Sequence, residues 1–239
     1  MVKKIDELKI KIFADGADQK AMAEFNKSPL IKGFTTNPSL MKESGVMNYT
    51  EFAKGILNEI KEKPVSFEVF GDDFNEMERQ AKIISSWGNN VYVKIPISNT
   101  KGESPFDLIK NLSARGIKIN LTAILDFDQV KHIAPAFHPG TPAIISVFAG
   151  RIADTGRNPV PIMKDAKEFL SNYKNLELLW ASPRQVFDIF QAEEANSDII
   201  TVLPGFLNKL DKIGKDLKEY SLETVKMFYE DAKNKGYQL

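Results

Sequence analysis

The chain has 239 residues, of which 43% are hydrophobic and 27% are charged, as in an ordinary globular protein rather than a disordered one. Lysine plus arginine and aspartate plus glutamate each number 32, so no overall field attracts nucleic acid or an anionic membrane. The absence of cysteine excludes a disulfide scaffold, thiol catalysis and thiolate metal sites. No apolar run predicts a secretion signal or a membrane span, so we expect a cytoplasmic protein without nucleic-acid or membrane partners.

Eight short runs of β-branched or aromatic residues recur along the chain, and each is followed by a helical pattern. These runs are Ile10–Ala14, Leu30–Phe34, Val65–Val69, Val91–Ile95, Ile117–Leu121, Ala143–Val147, Leu176–Trp180 and Ile199–Val202. Alternation of strands with helices implies parallel strands. Eight such units in a chain near the usual length of about 250 residues favour an α/β fold of the closed (β/α)₈ (TIM) barrel type over an open doubly wound sheet. We therefore predict a single barrel domain spanning 1–239.

The helical patterns between the strands are clear from their apolar periodicity and their boundary residues. They are Asp18–Asn26, Tyr49–Glu62, Asn75–Trp87, Pro105–Ala114, Phe127–Phe137, Ile162–Tyr173 and Pro183–Glu194, followed by a C-terminal helical region from about Gly205. The last segment, 221–239, is an extra amphipathic helix with Leu222, Val225, Phe228 and Tyr229 on one side. This helix covers either the barrel or another subunit, and we expect a homo-oligomer.

Lys94 lies in an apolar strand at a position where an apolar residue is expected. Alternation directs Val93 and Ile95 to the helix-facing side of the strand and Lys94 to the enclosed side. Enclosure removes hydration from an ammonium group and favours the neutral, nucleophilic amine that forms Schiff bases. The alternative for a lone lysine is a strand-end residue whose ammonium reaches solvent.

The same alternation directs polar side chains of other strands to the mouth at their C-terminal ends, where barrel enzymes carry their active sites. These residues are Asp15, Glu68, Asn120 and Thr122, and Ser146 with Phe148. A single one of them would be interpreted as a solvent-exposed strand end. Agreement among five strands argues against that interpretation.

A carboxylate and a lysine that converge on one cavity suit carbonyl chemistry, because the amine forms an electron-withdrawing iminium while the carboxylate moves protons. This chemistry requires no metal or other cofactor. The two histidines, His132 and His138, fall on the predicted helix Phe127–Phe137 and on the loop after it. Both lie away from the strand mouths, which favours packing or surface roles over metal ligation.

Two arginines follow neighbouring strands and indicate an anion site. Arg151 follows the sixth strand and Arg184 follows the seventh. Ser182 and Pro183 have the pattern of an N-cap and a first helical residue, so free backbone N–H groups are expected beside both guanidinium groups. This arrangement suits a phosphate. Either arginine alone would more simply be half of a surface salt bridge.

From Ile10 to about Gly205 the chain resembles the transaldolase family. The most specific motifs are Thr35-Thr36-Asn37-Pro38-Ser39-Leu40, the strand Val91–Pro96 with Lys94, Asn120-Leu121-Thr122, Ser146–Arg151 with Asp154, and Ala181-Ser182-Pro183-Arg184. The resemblance implies a class I aldolase-type barrel in which Lys94 forms a Schiff base with a ketose phosphate. Asp15 is then the acid/base at the cleaved bond, and Glu68 and Thr122 hold a catalytic water.

The resemblance also implies which residues contact the substrate. Asn37 and Asn120 match residues that orient the sugar chain, and Ser182, Arg151 and Arg184 match the phosphate site. Further expected substrate contacts are Thr35, Ser146 and Phe148.

The family includes fructose-6-phosphate aldolases, which share the lysine but do not transfer to a sugar-phosphate acceptor. That branch is expected to carry Gln in place of Glu68 and Tyr in place of Phe148. The resemblance therefore implies a transaldolase that moves a dihydroxyacetone unit from sedoheptulose 7-phosphate or fructose 6-phosphate to an aldose phosphate in the pentose phosphate pathway. Gly16 departs from the family, where threonine is common, and is expected to loosen the loop that holds Asp15.

Two alternatives of another class remain at this point. A catalytically silent sugar-phosphate-binding barrel would keep Arg151 and Arg184 but would not need Lys94 together with Asp15 and Glu68. A structural or scaffold role would need none of these residues.

Overall fold

The computed structural model describes residues 3–238, so residues 1, 2 and 239 of the predicted domain lie outside it. Eight parallel strands pair in chain order and close into a barrel. The strands are β1 Lys11–Asp15, β2 Ile31–Thr35, β3 Val65–Glu68, β4 Val91–Pro96, β5 Ile119–Ile124, β6 Ala143–Val147, β7 Leu176–Trp180 and β8 Ile199–Val202. The predicted (β/α)₈ barrel is therefore confirmed.

Eleven α-helices lie within the described residues. They are α1 Gln19–Lys27, α2 Pro38–Glu43, α3 Tyr49–Glu59, α4 Phe74–Ser85, α5 Phe106–Ala114, α6 Phe127–Ile133, α7 Ala149–Asp154, α8 Pro159–Leu170, α9 Asp188–Glu194, α10 Pro204–Leu207 and α11 Leu217–Lys235. Many begin at a polar N-cap, and Asp18, Asn48 and Asp73 each accept a hydrogen bond from a backbone N–H of the first turn. Within residues 3–238, no helix is long and apolar enough to cross a membrane.

Strand alternation separates the barrel interior from the layer between strands and helices. Phe13, Ile144, Leu179 and Ile199 pack together inside the barrel, whereas the apolar residues on either side of them belong to the larger outer core. Gly33 leaves space for the Phe13 side chain, because a Cβ atom on residue 33 would lie 2.5 Å from the Phe13 ring. The barrel floor is thus closed by side chains, and the polar inward residues are left at the C-terminal mouth.

Several helix boundaries differ from the sequence prediction. The short helices α2 and α7 were not predicted, since six residues are too few to show a helical periodicity. The predicted helix from Pro183 is wrong over its first turn, because α9 begins only at Asp188. Ser182 has a φ of +63° and caps no helix.

The C-terminal helix α11 runs from Leu217 to Lys235, against the predicted 221–239. Asp216 caps its start by accepting from two backbone N–H groups, and Gly236 ends it with a φ of +67°. None of its residues is buried. The predicted apolar stripe is therefore exposed, with Phe228 63% accessible, and does not cover the barrel of its own chain.

Candidate active site

The barrel mouth holds a cavity of about 440 Å³, and every site residue predicted from the sequence lies on its wall. These residues are Asp15, Thr35, Asn37, Glu68, Lys94, Asn120, Thr122, Ser146, Phe148, Arg151, Ser182 and Arg184. They come from strands β1 to β6 and from the segments that follow β2, β6 and β7. One concave surface therefore carries an amine, two carboxylates, several hydroxyls and amides, and two guanidinium groups.

Lys94 is enclosed within this cavity, with only 6% of its surface exposed. Its Nζ atom donates to the Thr36 carbonyl at 2.9 Å and lies 3.1 Å from Glu68 Oε2. Parallel pairing of β3 with β4 sets Glu68 opposite Lys94 in register. The amine is thus fixed by one oxygen atom just after β2 and one at the end of β3, and it does not reach solvent like a surface lysine.

Asp15 ends β1 beside Thr35, its register partner on β2. The Thr35 hydroxyl donates to Asp15 Oδ1 at 2.8 Å. Burial raises the pKa of Asp15, while the Lys94 cation and the Thr35 hydrogen bond oppose that rise. A carboxyl group whose pKa is raised in this way is suited to proton transfer.

Glu68 and Thr122 face the cavity on either side of β4. Tyr49 donates its hydroxyl to the Glu68 backbone carbonyl at 2.9 Å, and burial raises the pKa of Tyr49, so that this donor stays protonated. The Thr122 Oγ1 atom is buried and has no hydrogen-bond partner among the described residues. The next residue, Ala123, has a φ of +63° where the β5–β6 pairing shifts register. A backbone irregularity thus sits beside an unpaired hydroxyl in the cavity wall.

An interior hydrogen-bond network fixes the amide of Asn120. Its Nδ2 atom donates to Ser66 Oγ at 3.0 Å, and its Oδ1 atom accepts from Ser146 Oγ at 2.6 Å. Asn120 is fully buried, so the network determines its orientation. Asn37 is held differently: its Oδ1 atom caps α2 by accepting from the Leu40 N–H at 3.0 Å. Among the described residues, Asn37 therefore keeps both of its amide N–H bonds free, and Asn120 keeps one.

Both arginines lie on the cavity rim, but they are held differently. Arg184 Nε donates to Asp154 Oδ1 at 2.9 Å, and Arg184 Nη1 donates to Ser182 Oγ at 3.1 Å. The hydrogen bond from Arg184 lowers the pKa of Asp154. Arg151 lies over the Phe148 ring, 5.4 Å from its centroid, and has no salt-bridge partner within residues 3–238. Two guanidinium groups thus share one carboxylate, Asp154, and the rim keeps a net positive charge.

Gly150 joins the two rim loops. Its N–H donates to the Ala181 carbonyl at 3.3 Å, and a Cβ atom on Gly150 would lie 1.6 Å from the Ser182 carbonyl oxygen. Only glycine fits this close approach. The expected helix N-terminus at Ser182 is absent, and the Arg184 N–H that it would have left free donates to the buried Asp188 carboxylate at 2.6 Å. No helix N-terminus at Ser182 is therefore available to an anion at this rim.

The structure adds polar residues that the sequence interpretation missed. Thr201 of β8 lines the cavity, and its hydroxyl makes a short hydrogen bond with that of Thr35. Ser66 anchors the Asn120 network. Strand alternation applied to β8 and to the middle of β3 would have directed both residues inward.

Neither histidine lines the cavity. His132 Nε2 pairs with Ser104 Oγ at 2.9 Å, and His138 accepts from the Gly140 N–H at 3.2 Å. No group of three or more histidine, aspartate or glutamate side chains in the described part of the chain is arranged to hold a metal ion.

The fold and the cavity define an α/β-barrel protein with a lysine-centred site at the C-terminal ends of its strands. Residues 12–239 match the family described as Transaldolase/Fructose-6-phosphate aldolase, and the chain belongs to this family. The resemblance predicted from the sequence is confirmed.

Relatives support the same membership. A protein of Nitrosopumilus maritimus named "Probable transaldolase" is 34% identical over 234 residues, covering 94% of this chain and 100% of the relative. A protein of Brucella anthropi with the same name is 33% identical over 216 residues, covering 90% of this chain and 94% of the relative.

Solved structures of remote sequence share the barrel. KGPDC from Streptococcus mutans superposes with a TM-score of 0.56 at 12% identity, covering 87% of this chain and 100% of that chain. A mandelate oxidase superposes with a TM-score of 0.58 at 12% identity, covering 92% of this chain and 80% of that chain. At this identity the likeness concerns the fold alone.

Proposed function

We propose that the protein is a cytoplasmic transaldolase of the pentose phosphate pathway. It transfers a dihydroxyacetone unit from sedoheptulose 7-phosphate or fructose 6-phosphate to an aldose phosphate through a Schiff base on Lys94. The observation that carries the proposal is the enclosed Lys94 amine, held 3.1 Å from Glu68 in a cavity that also contains Asp15. The names of the relatives agree with this activity.

The reaction begins when the Lys94 ammonium loses a proton, for which Glu68 Oε2 is the nearest carboxylate oxygen. The neutral amine attacks C2 of the ketose phosphate, and the carbinolamine loses water to give an iminium. We assign proton delivery in this step to a water held between Glu68 and Thr122. The otherwise unpaired Thr122 hydroxyl supports this assignment, because a bound water would satisfy it.

Cleavage then requires a base at the C4 hydroxyl group. Asp15 removes that proton, the C3–C4 bond breaks, and the electron pair enters the iminium to form an enamine on Lys94. The Asn37 and Asn120 amides each donate a free N–H to the retained dihydroxyacetone unit. Ser146, whose own proton is given to Asn120, offers an accepting oxygen. An incoming aldose phosphate reverses the steps.

Transfer rather than release is the part of the proposal that separates a transaldolase from a fructose-6-phosphate aldolase. Phe148 has no hydroxyl, so it gives the enamine no additional proton donor, and the intermediate should therefore survive until an acceptor arrives. Glu68, unlike a glutamine, can exchange protons with a bound water, so proton delivery to the enamine depends on the charge state of this carboxyl group. A cavity that excludes bulk water favours the same outcome.

The test is to incubate the enzyme with fructose 6-phosphate, with and without erythrose 4-phosphate, and to follow glyceraldehyde 3-phosphate, sedoheptulose 7-phosphate and free dihydroxyacetone. We expect sedoheptulose 7-phosphate to exceed released dihydroxyacetone at saturating acceptor. The variant Glu68→Gln with Phe148→Tyr should shift the ratio toward release. A wild type that mainly releases dihydroxyacetone would favour the aldolase alternative, and no turnover in either assay would favour the silent sugar-phosphate-binding barrel.

We assign Arg151, Arg184 and Ser182 to the substrate phosphate. Arg151→Ala removes the net positive charge of the rim and should weaken binding by about 1.5–3 kcal/mol, seen as a rise in KM for phosphorylated substrates. Arg184→Ala should weaken binding by at least as much, because it leaves the Asp154 carboxylate unpaired beside the substrate phosphate. The double variant Arg184→Ala with Asp154→Asn should therefore bind phosphorylated substrates more tightly than Arg184→Ala alone.

Arg157→Ala is the matched control for the arginine variants, because Arg157 follows α7 but does not line the cavity. It should leave KM unchanged. Equal losses for phosphorylated and unphosphorylated sugars in Arg151→Ala and Arg184→Ala would contradict the phosphate assignment.

We also propose a homo-oligomer in which α11 packs against another copy of the chain. The helix is capped at both ends yet buries none of its residues in its own chain. Its apolar residues are largely exposed, including Leu222 at 54% and Phe228 at 63%. An amphipathic helix without an intramolecular partner supports packing between subunits.

A further inference from the structure

A chain of hydroxyl groups inside the barrel ends at the Asp15 carboxylate. Thr201 lies on β8 opposite Phe13 in the strand register and is only 4% exposed. Its Oγ1 atom makes a short hydrogen bond with Thr35 Oγ1, and the Thr35 hydroxyl donates to Asp15 Oδ1 at 2.8 Å. Three neighbouring strands thus contribute one continuous hydrogen-bonded chain.

The direction of this chain follows from counting protons. A hydroxyl group has one proton to donate, and Thr35 gives its proton to Asp15. The proton between the two threonines must therefore come from Thr201. Within residues 3–238 the Thr201 hydroxyl has no other hydrogen-bond partner. Both hydroxyls consequently point toward the carboxylate, which suits its ionised, accepting form.

We propose that Thr201 is a positioning residue that acts through Thr35 to hold Asp15 ionised and correctly oriented for the C4 hydroxyl of the substrate. This inference rests on the proposed role of Asp15 as the base. With Oδ1 engaged by Thr35, the Oδ2 atom receives the substrate proton. The threonine chain keeps its direction while that proton is held.

The electrostatic surroundings of Asp15 agree with this role. Burial raises the pKa of Asp15, and the Thr35 hydrogen bond is one of the two effects that oppose the rise. Thr35 becomes a weaker donor when nothing donates to it, so loss of the Thr201 hydroxyl should raise the pKa further. The charged groups that share the two cavities bordered by Asp15 stay unchanged in a Thr201 variant; they are Lys94, Glu68, Arg151, Arg184, Asp18 and Glu43.

The experiment titrates Asp15 directly in the full-length protein. Aspartate labelled with ¹³C at Cγ is incorporated, and the Asp15 resonance is identified by its absence from Asp15→Asn. Thr201→Val removes the donor at nearly constant volume and should raise the Asp15 pKa by about half a unit or more. Thr201→Ser retains the hydroxyl and should titrate like the wild type. Thr141→Val, which removes another buried threonine hydroxyl that donates to the Ser113 carbonyl, should leave the Asp15 titration unchanged.

Kinetics give a second readout. The acidic limb of the pH profile of kcat/KM for ketose cleavage should move to higher pH in Thr201→Val by the same amount, and Thr201→Ser should restore it. An unchanged Asp15 titration in folded Thr201→Val overturns the inference. If the valine variant does not fold, Thr201→Cys replaces it, because the thiol is a weak donor of similar size. An unchanged Asp15 titration in folded Thr201→Cys then overturns the inference. Absence of turnover in the wild type refutes the proposed function, whereas the NMR titration still decides the role of Thr201.

Discussion

Replacing Lys94 with methionine should abolish both turnover and trapping of the substrate. Without the amine no iminium can form, so we expect activity to fall by at least about 10³-fold. Borohydride added to the wild type with fructose 6-phosphate should reduce a covalent adduct on Lys94. Trypsin cannot cut after the modified lysine, so mass spectrometry should find an intact peptide 83–101 carrying the adduct. The variant should give peptide 83–101 without the adduct.

Lys63→Met is the matched control for this result. Lys63 is also partly enclosed, and its Nζ atom donates to the Asn26 and Ser28 carbonyls at 2.6 and 3.0 Å. Burial lowers the pKa of Lys63, so it is the lysine best able to imitate a reactive amine outside the cavity. In the Lys63 variant, borohydride should trap the adduct on Lys94 as in the wild type, and the turnover rate should be unchanged. A reducible adduct that persists in folded Lys94→Met would refute the assignment.

Lys94→Met should also lower the free energy of unfolding. The Thr36 carbonyl and the Glu68 carboxylate both lose their partner, which should destabilise the protein by about 1–3 kcal/mol. Circular dichroism at the assay temperature separates this loss from the loss of chemistry. A variant that is folded and inactive locates the effect in the amine itself.

The sequence alone predicted the barrel and the residues around its mouth because both depend on strand alternation. Lys94 and Glu68 face inward because the period of a strand is two residues, and parallel register then sets them opposite each other. No tertiary detail beyond strand order is needed for this step. Ser182 and Arg184 were predicted from the pattern that follows the seventh strand, and the family resemblance added the loop residue Asn37, whose position strand alternation does not determine.

The loop conformations could not be predicted, because they depend on tertiary contacts. Ser182 and Pro183 have the local pattern of a helix start, yet Ser182 adopts a φ of +63° and its carbonyl oxygen packs against Gly150. That close approach joins two loops far apart in sequence, and it overrides the local preference. The Arg184–Asp154 pair was missed for the same reason: the motif contained Asp154, but spacing along the chain gives no indication of which arginine it binds.

The raised pKa of Asp15 implies that this residue lowers the stability of the fold at neutral pH. Between the ordinary aspartate pKa and the raised native value, the native state binds more protons than the unfolded chain. Stability is therefore highest below that interval and falls as the pH rises through it. Above the interval the native protein carries an enclosed carboxylate that would be better hydrated in the unfolded chain.

Asp15→Asn should consequently lose activity while gaining stability. Without a base for the C4 hydroxyl, cleavage should slow by about 10²–10⁴-fold. The amide oxygen can still accept from Thr35, so the site should keep its shape. Borohydride should still trap a fructose 6-phosphate adduct on Lys94, because the iminium forms before the bond breaks. At pH 7 the variant should have a higher Tm than the wild type, and this gain should shrink as the pH falls toward the ordinary aspartate pKa.

Asp18→Asn provides the matched control, since it makes the same chemical change three residues further along the chain. Asp18 caps α1 by accepting from the Ala21 N–H at 2.8 Å, and asparagine caps a helix equally well. This variant should keep its activity and should show no comparable pH-dependent rise in Tm. If Asp15→Asn cleaves fructose 6-phosphate at the wild-type rate, another group must remove the C4 proton. If it loses activity but traps no adduct, Asp15 acts before the iminium is complete, and the order of proton transfers proposed for the site is wrong.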